Sequence, residues 1–274
     1  MLSKHIRDYW REWTVAAVFL LAYFPIFLWM WDRCTARDSY YSHAVFVPFA
    51  SAYLLWLDRG EVASVKKEPF PGGIWLIIFG VIVLLLSSLF RVYFTAAFTM
   101  PIVLSGVILV FFGKEFFRRI FFPVAFLVFM IPLPEVLITE ISFQLKMFAA
   151  QIATSLLNNH LRIPAIREGS LIKMRNASVM VEDVCSGLKY LISLTALGSI
   201  FAYLLKGPWW KKTILFLFTI PISILTNVFR IIVLSFVSEV WGSQYASGLF
   251  HDLTGLLGFA LAFVLLWIVS KVIE

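Results

Sequence analysis

The chain has 274 residues, of which 61% are hydrophobic and only 14% are charged. An average soluble domain carries about 25% charged residues, so this chain has too few charges to cover a water-exposed surface. Soluble enzymes, disordered chains, collagen-like proteins and coiled coils are therefore excluded. The apolar residues form long blocks, such as 74–90, rather than a strict alternation. This pattern favours a helical membrane protein over an outer-membrane barrel.

The chain is predicted to be an all-α polytopic membrane protein with about eight transmembrane helices, because about 20 apolar residues cross the hydrocarbon layer. The predicted spans are 13–31, 43–57, 73–90, 96–112, 118–133, 187–205, 213–237 and 252–270. The first span follows a basic stretch, as in a signal peptide, but it lacks a small-residue cleavage site, so we expect it to remain uncleaved. With no fixed-period repeat and no low-complexity linker, residues 1–274 are predicted to form a single integral membrane domain.

The orientation of the spans is predicted from lysine and arginine, which concentrate at cytoplasmic ends. One set of span ends carries most of these residues: Lys4, Arg7, Arg11, Arg59, Lys66, Lys67, Lys114, Arg118, Arg119, Lys206, Lys211, Lys212 and Lys271. The short loops on the opposite side carry only Arg33, Arg37 and Arg91. Both termini are therefore predicted to be cytoplasmic, in a multi-pass protein of the cell membrane.

An outer-side insertion is predicted over about 134–185, between the fifth and sixth spans. Its first part, 134–158, has apolar residues at three- and four-residue spacing, which is typical of an amphipathic helix at the membrane interface. Its second part, 162–184, has short alternating runs broken by turn residues, which predicts a small β-hairpin.

The net charge of +7 admits two interpretations, a nucleic-acid partner or basic loops that anchor the protein at the membrane. The long apolar blocks favour the second, so membrane lipid is expected as a partner and nucleic acid is not. The sequence contains no CxxC pair, GxGxxG motif, Walker loop or HExxH motif. No cofactor and no metal site are therefore expected.

Three polar residues inside or at the rim of predicted spans are the candidate catalytic residues, because polar groups are costly in lipid. Cys185 and His251 begin the sixth and eighth spans on the outer side, and Arg230 lies about 10 Å from the outer end of the seventh. A thiolate is a nucleophile that a nearby cation favours. The imidazole can move a proton, and the guanidinium offers fixed donors to an oxyanion or a carboxylate.

Four further residues are candidate substrate-binding residues: Asn227, His43, Ser186 and Asp183. Asn227 lies one turn before Arg230 on the same helix face, where it can orient the guanidinium or bind substrate backbone. His43 begins the second span on the outer side, where a substrate contact and a structural role are both open. Ser186 directly follows Cys185, and Gly187 allows a close backbone approach at the start of the helix.

Structural alternatives remain open for each of these residues. Cys185 can be a small buried residue or the disulfide partner of Cys34, which is also predicted on the outer side. Arg230 can extend its charge to the interface or pair with Glu239. His251 can be an ordinary interfacial histidine, and Asp183 a solvated loop charge.

Three sequence blocks together resemble the exosortase/archaeosortase family: Cys-Ser-Gly-Leu-Lys at 185–189, Asn-Val-Phe-Arg-Ile at 227–231, and His251. Ser42-His43, with the Val-Pro that follows and Tyr-Leu-Leu-Trp at 53–56, resembles the N-terminal block of that family. The resemblance covers about residues 41–258. It departs from the family pattern at Lys189, where arginine is common.

The resemblance implies a membrane cysteine transpeptidase that cleaves C-terminal sorting signals of exported proteins and transfers them to an acceptor through a thioester. Its substrates would end in a short motif, a transmembrane helix and a basic tail. By position, Cys185 is the nucleophile, Arg230 the oxyanion or substrate stabiliser and His251 the acid/base. Two alternatives stay open, namely a membrane cysteine protease that uses water as acceptor and a non-enzymatic transporter or flippase.

Overall fold

The computed structural model describes residues 10–36, 39–181, 186–246 and 248–274. The candidate residues Asp183 and Cys185 lie outside these ranges, as do Lys4, Arg7 and Arg37. The described chain is mostly helical with one small sheet. Its contacts divide it into two compact units, Met1–Pro132 and Leu133–Glu274. Whether these units form one domain, as the sequence predicts, stays a prediction.

The first unit is built from helices. In chain order they are α1 Trp10–Thr35, a 3₁₀ helix Ser42–Phe46, α2 Val47–Leu57, α3 Arg59–Ser64, α4 Gly73–Leu89, α5 Tyr93–Phe126 and a 3₁₀ helix Leu127–Met130. Pro48 lies in the first turn of α2, where its missing N–H leaves no hydrogen bond unmade. Helix α4 packs along α5 through small residues, since Gly73 and Gly106 approach each other closely.

Helix α5 has 34 residues and a sharp break at Gly113, whose φ is 86° and ψ is −179°. This conformation is open to glycine and costly for residues with a side chain. A Cβ at this position would also collide with the carbonyl oxygen of Glu68. The break falls between the fourth and fifth predicted spans, 96–112 and 118–133, so two predicted spans meet at one residue without a loop.

The described part of the second unit combines four helices with a sheet. Its elements are α6 Glu135–Asn159, β1 Ile166–Glu168, β2 Leu171–Lys173, β3 Ser178–Met180, α7 Leu188–Leu204, α8 Trp209–Trp241 and α9 Leu249–Ile273. Helix α6 occupies the predicted amphipathic segment. Its alanines, Ala149, Ala150 and Ala153, pack in one buried cluster with Val228 and Ile231 of α8.

The sheet is antiparallel with the order β1-β2-β3. Ile172 lies opposite Val179 across β2 and β3, and Ile172 and Val181 join the cluster formed by α6 and α8. The predicted hairpin between 162 and 184 is therefore part of a three-stranded sheet. The tip of the β2–β3 turn is held on α8, because the N–H of Asn176 donates to Oε2 of Glu239 at 2.9 Å.

Five described helical segments are long and apolar enough to cross a membrane: Trp13–Thr35, Tyr93–Met130, Glu135–Asn159, Trp209–Trp241 and Phe250–Ile273. Three apolar segments are shorter: Ser42–Leu57, Gly73–Leu89 and Leu188–Leu204. The predicted count of eight spans is therefore not confirmed. It differs because α5 joins two predicted spans and because α6, predicted to lie in the interface, is long enough to cross. The orientation of the spans stays a prediction.

Candidate active site

Helix α8 carries two of the candidate residues on one face. Asn227 and Arg230 are three residues apart, so their side chains are neighbours on the helix surface. Both are buried, with 1% and 7% of their surface exposed. Burial of a guanidinium is unfavourable unless its donors are paired. The hydrogen-bond partners of these two side chains therefore determine which of their polar groups remain able to bind another molecule.

Arg230 contacts the start of α9. Its Nη2 donates a hydrogen bond of 3.2 Å to the backbone carbonyl oxygen of His251, and the hydroxyl of Thr254 donates to the same oxygen at 2.8 Å. Gly255 adjoins the guanidinium, because a Cβ there would lie in van der Waals contact with Nη2, at 3.4 Å. The structure thus brings Arg230 and His251 together, through the His251 backbone.

One donor of the Arg230 guanidinium, Nε, is buried and unused among the described residues. Nε of Arg230 has no hydrogen-bond partner among the described residues. The alternative partner, Glu239, accepts the N–H of Asn176 instead, and the described ion pairs include none between Glu239 and Arg230. A buried donor without an acceptor costs free energy. Such a donor is typical of a position where a group of another molecule accepts the hydrogen bond.

Asn227 contacts the start of α7. Gly187, the residue before α7, has a φ of 88°, and a Cβ on it would lie 3.0 Å from Cβ and Cγ of Asn227. Glycine is favoured here both by the left-handed backbone and by the close approach. Ser186 is 2% exposed, and its Oγ accepts the N–H of Leu188 at 3.3 Å.

A small cavity lies where these residues meet. It is lined by Ser186, Gly187, Ser223 and Asn227, with an apolar wall from Leu145, Ala149 and Ile224. The Oδ1 and Nδ2 atoms of Asn227 are buried, and neither has a hydrogen-bond partner among the described residues. A carboxamide with both ends unpaired can accept and donate a hydrogen bond, and the cavity beside it, about 10 Å³, has room for about one water-sized group.

Cys185 and Asp183 belong to residues 182–185, which lie outside the described ranges. The described residues on both sides of this segment lie against the same part of α8. Val181 packs in the cluster that contains Val228 and Ile231, and Gly187 contacts Asn227. The chain therefore enters and leaves the segment beside the turn of α8 that carries Asn227 and Arg230.

His43 belongs to the first unit, in the 3₁₀ helix before α2. Its ring lies 6.2 Å from that of Tyr41, tilted by 33°. Its part in substrate binding stays a prediction. Cys34 is a buried free thiol in α1, so the alternative of a disulfide with Cys185 gains no support.

Sequence reasoning missed Tyr190, which links α7 to α9. Its hydroxyl donates to the carbonyl oxygen of Gly255 at 2.8 Å, and a Cβ on Gly258 would lie 2.8 Å from that hydroxyl. The glycines Gly255 and Gly258, one turn apart on α9, could have predicted this contact, since small residues at helical spacing mark close helix contacts in membranes. Tyr190 therefore holds Gly255, which adjoins the guanidinium of Arg230 and lies one turn after the His251 carbonyl.

These features describe a helical membrane protein with a buried arginine and a buried carboxamide on one turn of α8, and the carboxamide has no hydrogen-bond partner among the described residues. A family model described as transmembrane exosortase (Exosortase_EpsH) matches residues 31–268. The chain belongs to this family, which is associated with protein-sorting processing by cysteine-dependent enzymes. Neither the curated proteins nor the solved structures with which the sequence was compared include a match.

Proposed function

We propose that this chain is a membrane cysteine transpeptidase. It cleaves a C-terminal sorting signal from exported proteins at the outer face of the cell membrane and transfers the remaining protein to an amine acceptor. The observation that carries the proposal is the convergence on one turn of α8. Arg230 contacts the His251 backbone, Asn227 contacts Gly187, and Cys185 lies two residues before Gly187 in the chain. The family membership supports a cysteine-dependent enzyme of protein sorting.

In the first step, His251 takes the proton of the Cys185 thiol, and the thiolate attacks the carbonyl carbon of the scissile peptide bond. A carbon–sulfur bond forms, and the carbonyl oxygen becomes an oxyanion. Arg230 stabilises this oxyanion, because a guanidinium stays protonated and its position is fixed before the reaction by burial and by its bond to the His251 carbonyl.

In the second step, the carbon–nitrogen bond breaks, and the imidazolium of His251 gives its proton to the departing amine. The leaving fragment is the substrate's own transmembrane helix with its basic tail. The nitrogen of an acceptor amine then attacks the thioester carbon, the carbon–sulfur bond breaks, and a new amide forms. His251 takes the proton that the amine loses and returns it to the Cys185 thiolate. Asn227 holds the peptide group next to the scissile bond, with its Nδ2 as donor and its Oδ1 as acceptor.

The test is replacement of Cys185 by alanine, with co-expression of an exported protein of the same organism that ends in a transmembrane helix and a basic tail. We expect Cys185→Ala and Cys185→Ser to abolish cleavage of this protein. Cys34→Ala is the matched control, because it removes a buried thiol in the first unit and should leave cleavage unchanged. Normal cleavage by Cys185→Ala would overturn the proposal.

The mass of the product separates a transpeptidase from a protease. A transpeptidase product carries the acceptor on its new C-terminus, whereas hydrolysis leaves a free carboxylate. Intact-mass measurement of the released protein should therefore show an added acceptor that disappears in Cys185→Ala. A product with only a free carboxylate would leave Cys185 as the nucleophile and replace the acceptor amine by water.

A further inference from the structure

A cavity of about 150 Å³ lies beside His251 and has a β-strand as one wall. Its lining includes all of β3 and Val181, the α8 residues Ile231, Leu234 and Ser238, the α8–α9 loop residues Ser243 and Ala246, and His251. The volume is about that of five water molecules, at roughly 30 Å³ each. Strand β3 and the candidate acid/base therefore face one space.

Strand β3 is the edge of the sheet. It pairs with β2 on one side, and no other described strand pairs with its second side. The hydrogen bonds between β2 and β3 show which residues of β3 turn their backbone groups toward β2 and which turn them away. Val181 donates to Ser170 at 3.0 Å, and Met174 donates to Ala177 at 2.8 Å. Because hydrogen-bonded pairs alternate along an antiparallel ladder, Ala177, Val179 and Val181 turn their backbone groups toward β2.

The intervening residues, Ser178 and Met180, consequently turn their N–H and C=O groups toward the second edge. These groups repeat every second residue, which is the spacing of a β-ladder. An acyl chain or a side chain cannot pair with all of these N–H and C=O groups, but an extended peptide can. An unpaired strand edge is also a ready template for another chain.

Along the chain, β3 continues toward Cys185. Its beginning is near Asn176, which is held by Glu239 close to the end of α8. Beyond its end, Val181 packs with Val228 and Ile231, and Gly187 contacts Asn227. A peptide that follows β3 therefore passes His251 and moves toward the turn of α8 that carries Arg230.

From this arrangement we propose that the substrate binds as an added β-strand on the second edge of β3, paired with Ser178 and Met180. The proposal rests on the transpeptidase function and names how its substrate is held. The strand is the extended segment just before the scissile bond, since the helix after that bond already pairs its own backbone groups in lipid. It therefore runs parallel to β3, with the scissile carbonyl at the Cys185 end.

The first test removes one backbone donor. Met180→Pro deletes the N–H at the second edge, whereas the ladder to β2 uses Val179 and Val181 and stays intact. Met180→Ala is the matched control, because it shortens the same exposed side chain and keeps the N–H. We expect Met180→Pro to slow cleavage of the co-expressed exported protein about tenfold relative to Met180→Ala, the value of one lost hydrogen bond.

The second test leaves β3 unchanged and therefore does not depend on how the proline variant folds. The probe is acetyl-tetra-alanine chloromethyl ketone, which alkylates a thiolate with loss of chloride, applied to the Cys34→Ala protein in detergent. Two further probes carry N-methyl groups on alternate residues. We expect one N-methyl isomer to label Cys185 about tenfold more slowly than the parent probe and the other to stay within about twofold. A chloroacetyl-tetra-alanine amide, with the reactive group at the opposite end, should label no faster than chloroacetamide.

The outcomes distinguish this proposal from the proposed function. Cleavage by Cys185→Ala overturns the function itself. If Cys185→Ala abolishes cleavage while Met180→Pro matches Met180→Ala and both N-methyl isomers label at the parent rate, the transpeptidase stands and the added strand is wrong. Faster labelling by the chloroacetyl probe overturns the parallel direction.

Discussion

In the first unit, the buried hydroxyls of Tyr23 and Thr99 share a hydrogen bond of 2.7 Å, and Ser51 donates to the carbonyl oxygen of Pro123 at 2.7 Å. In the second unit, both polar atoms of Asn227 and Nε of Arg230 are buried without a partner among the described residues. An unpaired buried polar group costs about 1–3 kcal/mol. The first unit thus uses these polar groups to hold helices together, whereas these polar atoms of the second unit are unpaired at the place where we propose that a substrate binds.

Replacement of Arg230 should give the largest change and test this contrast most directly. Arg230→Met keeps a long side chain but removes the donors, so cleavage should fall about 100- to 1,000-fold, as for loss of an oxyanion donor. The unfolding free energy should stay level or rise, because apolar replacement of a buried charge is often neutral or stabilising. Cleavage in cells and SDS unfolding in mixed micelles measure the two effects. Full cleavage by Arg230→Met would remove Arg230 from the mechanism.

Asn227→Leu should separate activity from stability in the same way, with a smaller loss of cleavage. Leucine is close to asparagine in length, and it replaces two unpaired polar atoms by apolar ones, so the unfolding free energy should not fall. Loss of one or two hydrogen bonds to a substrate peptide group should slow cleavage by about ten- to 100-fold. If Asn227→Leu destabilises the protein and cleaves normally per folded molecule, the carboxamide has a structural role.

The sequence predicted much of this site because polar residues are scarce in apolar spans. Arg230 was identified from its position within a span, His251 from its place at the outer start of the next span, and Asn227 from its place one turn before Arg230. The order of the spans predicted a shared depth for Arg230 and His251. The contact through the His251 carbonyl could not be predicted, since a backbone oxygen has no sequence signal. The left-handed backbone of Gly187 was likewise hidden, although the glycine itself was noted.

The fold departed from prediction where the sequence signal is local and short. Three-residue strands carry too few alternations for the periodicity to count them, so a hairpin was expected where a three-stranded sheet forms. The basic residues Lys114, Arg118 and Arg119 indicated a loop between two spans. Gly113 instead turns the chain within a single residue, because glycine alone tolerates that conformation cheaply.

Thr99→Val should produce the opposite result in the first unit. It leaves the Tyr23 hydroxyl buried and without its partner, which should lower the unfolding free energy by about 1–3 kcal/mol. Cleavage per folded molecule should stay unchanged. SDS unfolding in mixed micelles measures the loss, and cleavage normalised to folded protein measures the activity. A drop in normalised cleavage comparable with that of Asn227→Leu would end the distinction between the two units.

Tyr190→Phe should give the smallest changes, with a small loss of both stability and cleavage. It therefore lies between Asn227→Leu, which should lose only cleavage, and Thr99→Val, which should lose only stability. It removes the hydrogen bond of 2.8 Å to the Gly255 carbonyl, worth about 1 kcal/mol, and keeps the ring that packs against Gly258. Because Gly255 adjoins the guanidinium of Arg230, a looser α9 should also lower cleavage several-fold, whereas Thr99→Val should not. Gly258→Ala, which forces the Tyr190 hydroxyl to move, should lower cleavage in the same direction. If both variants lose stability but keep normalised cleavage, Tyr190 acts as a structural tie and not as a positioning residue for Arg230.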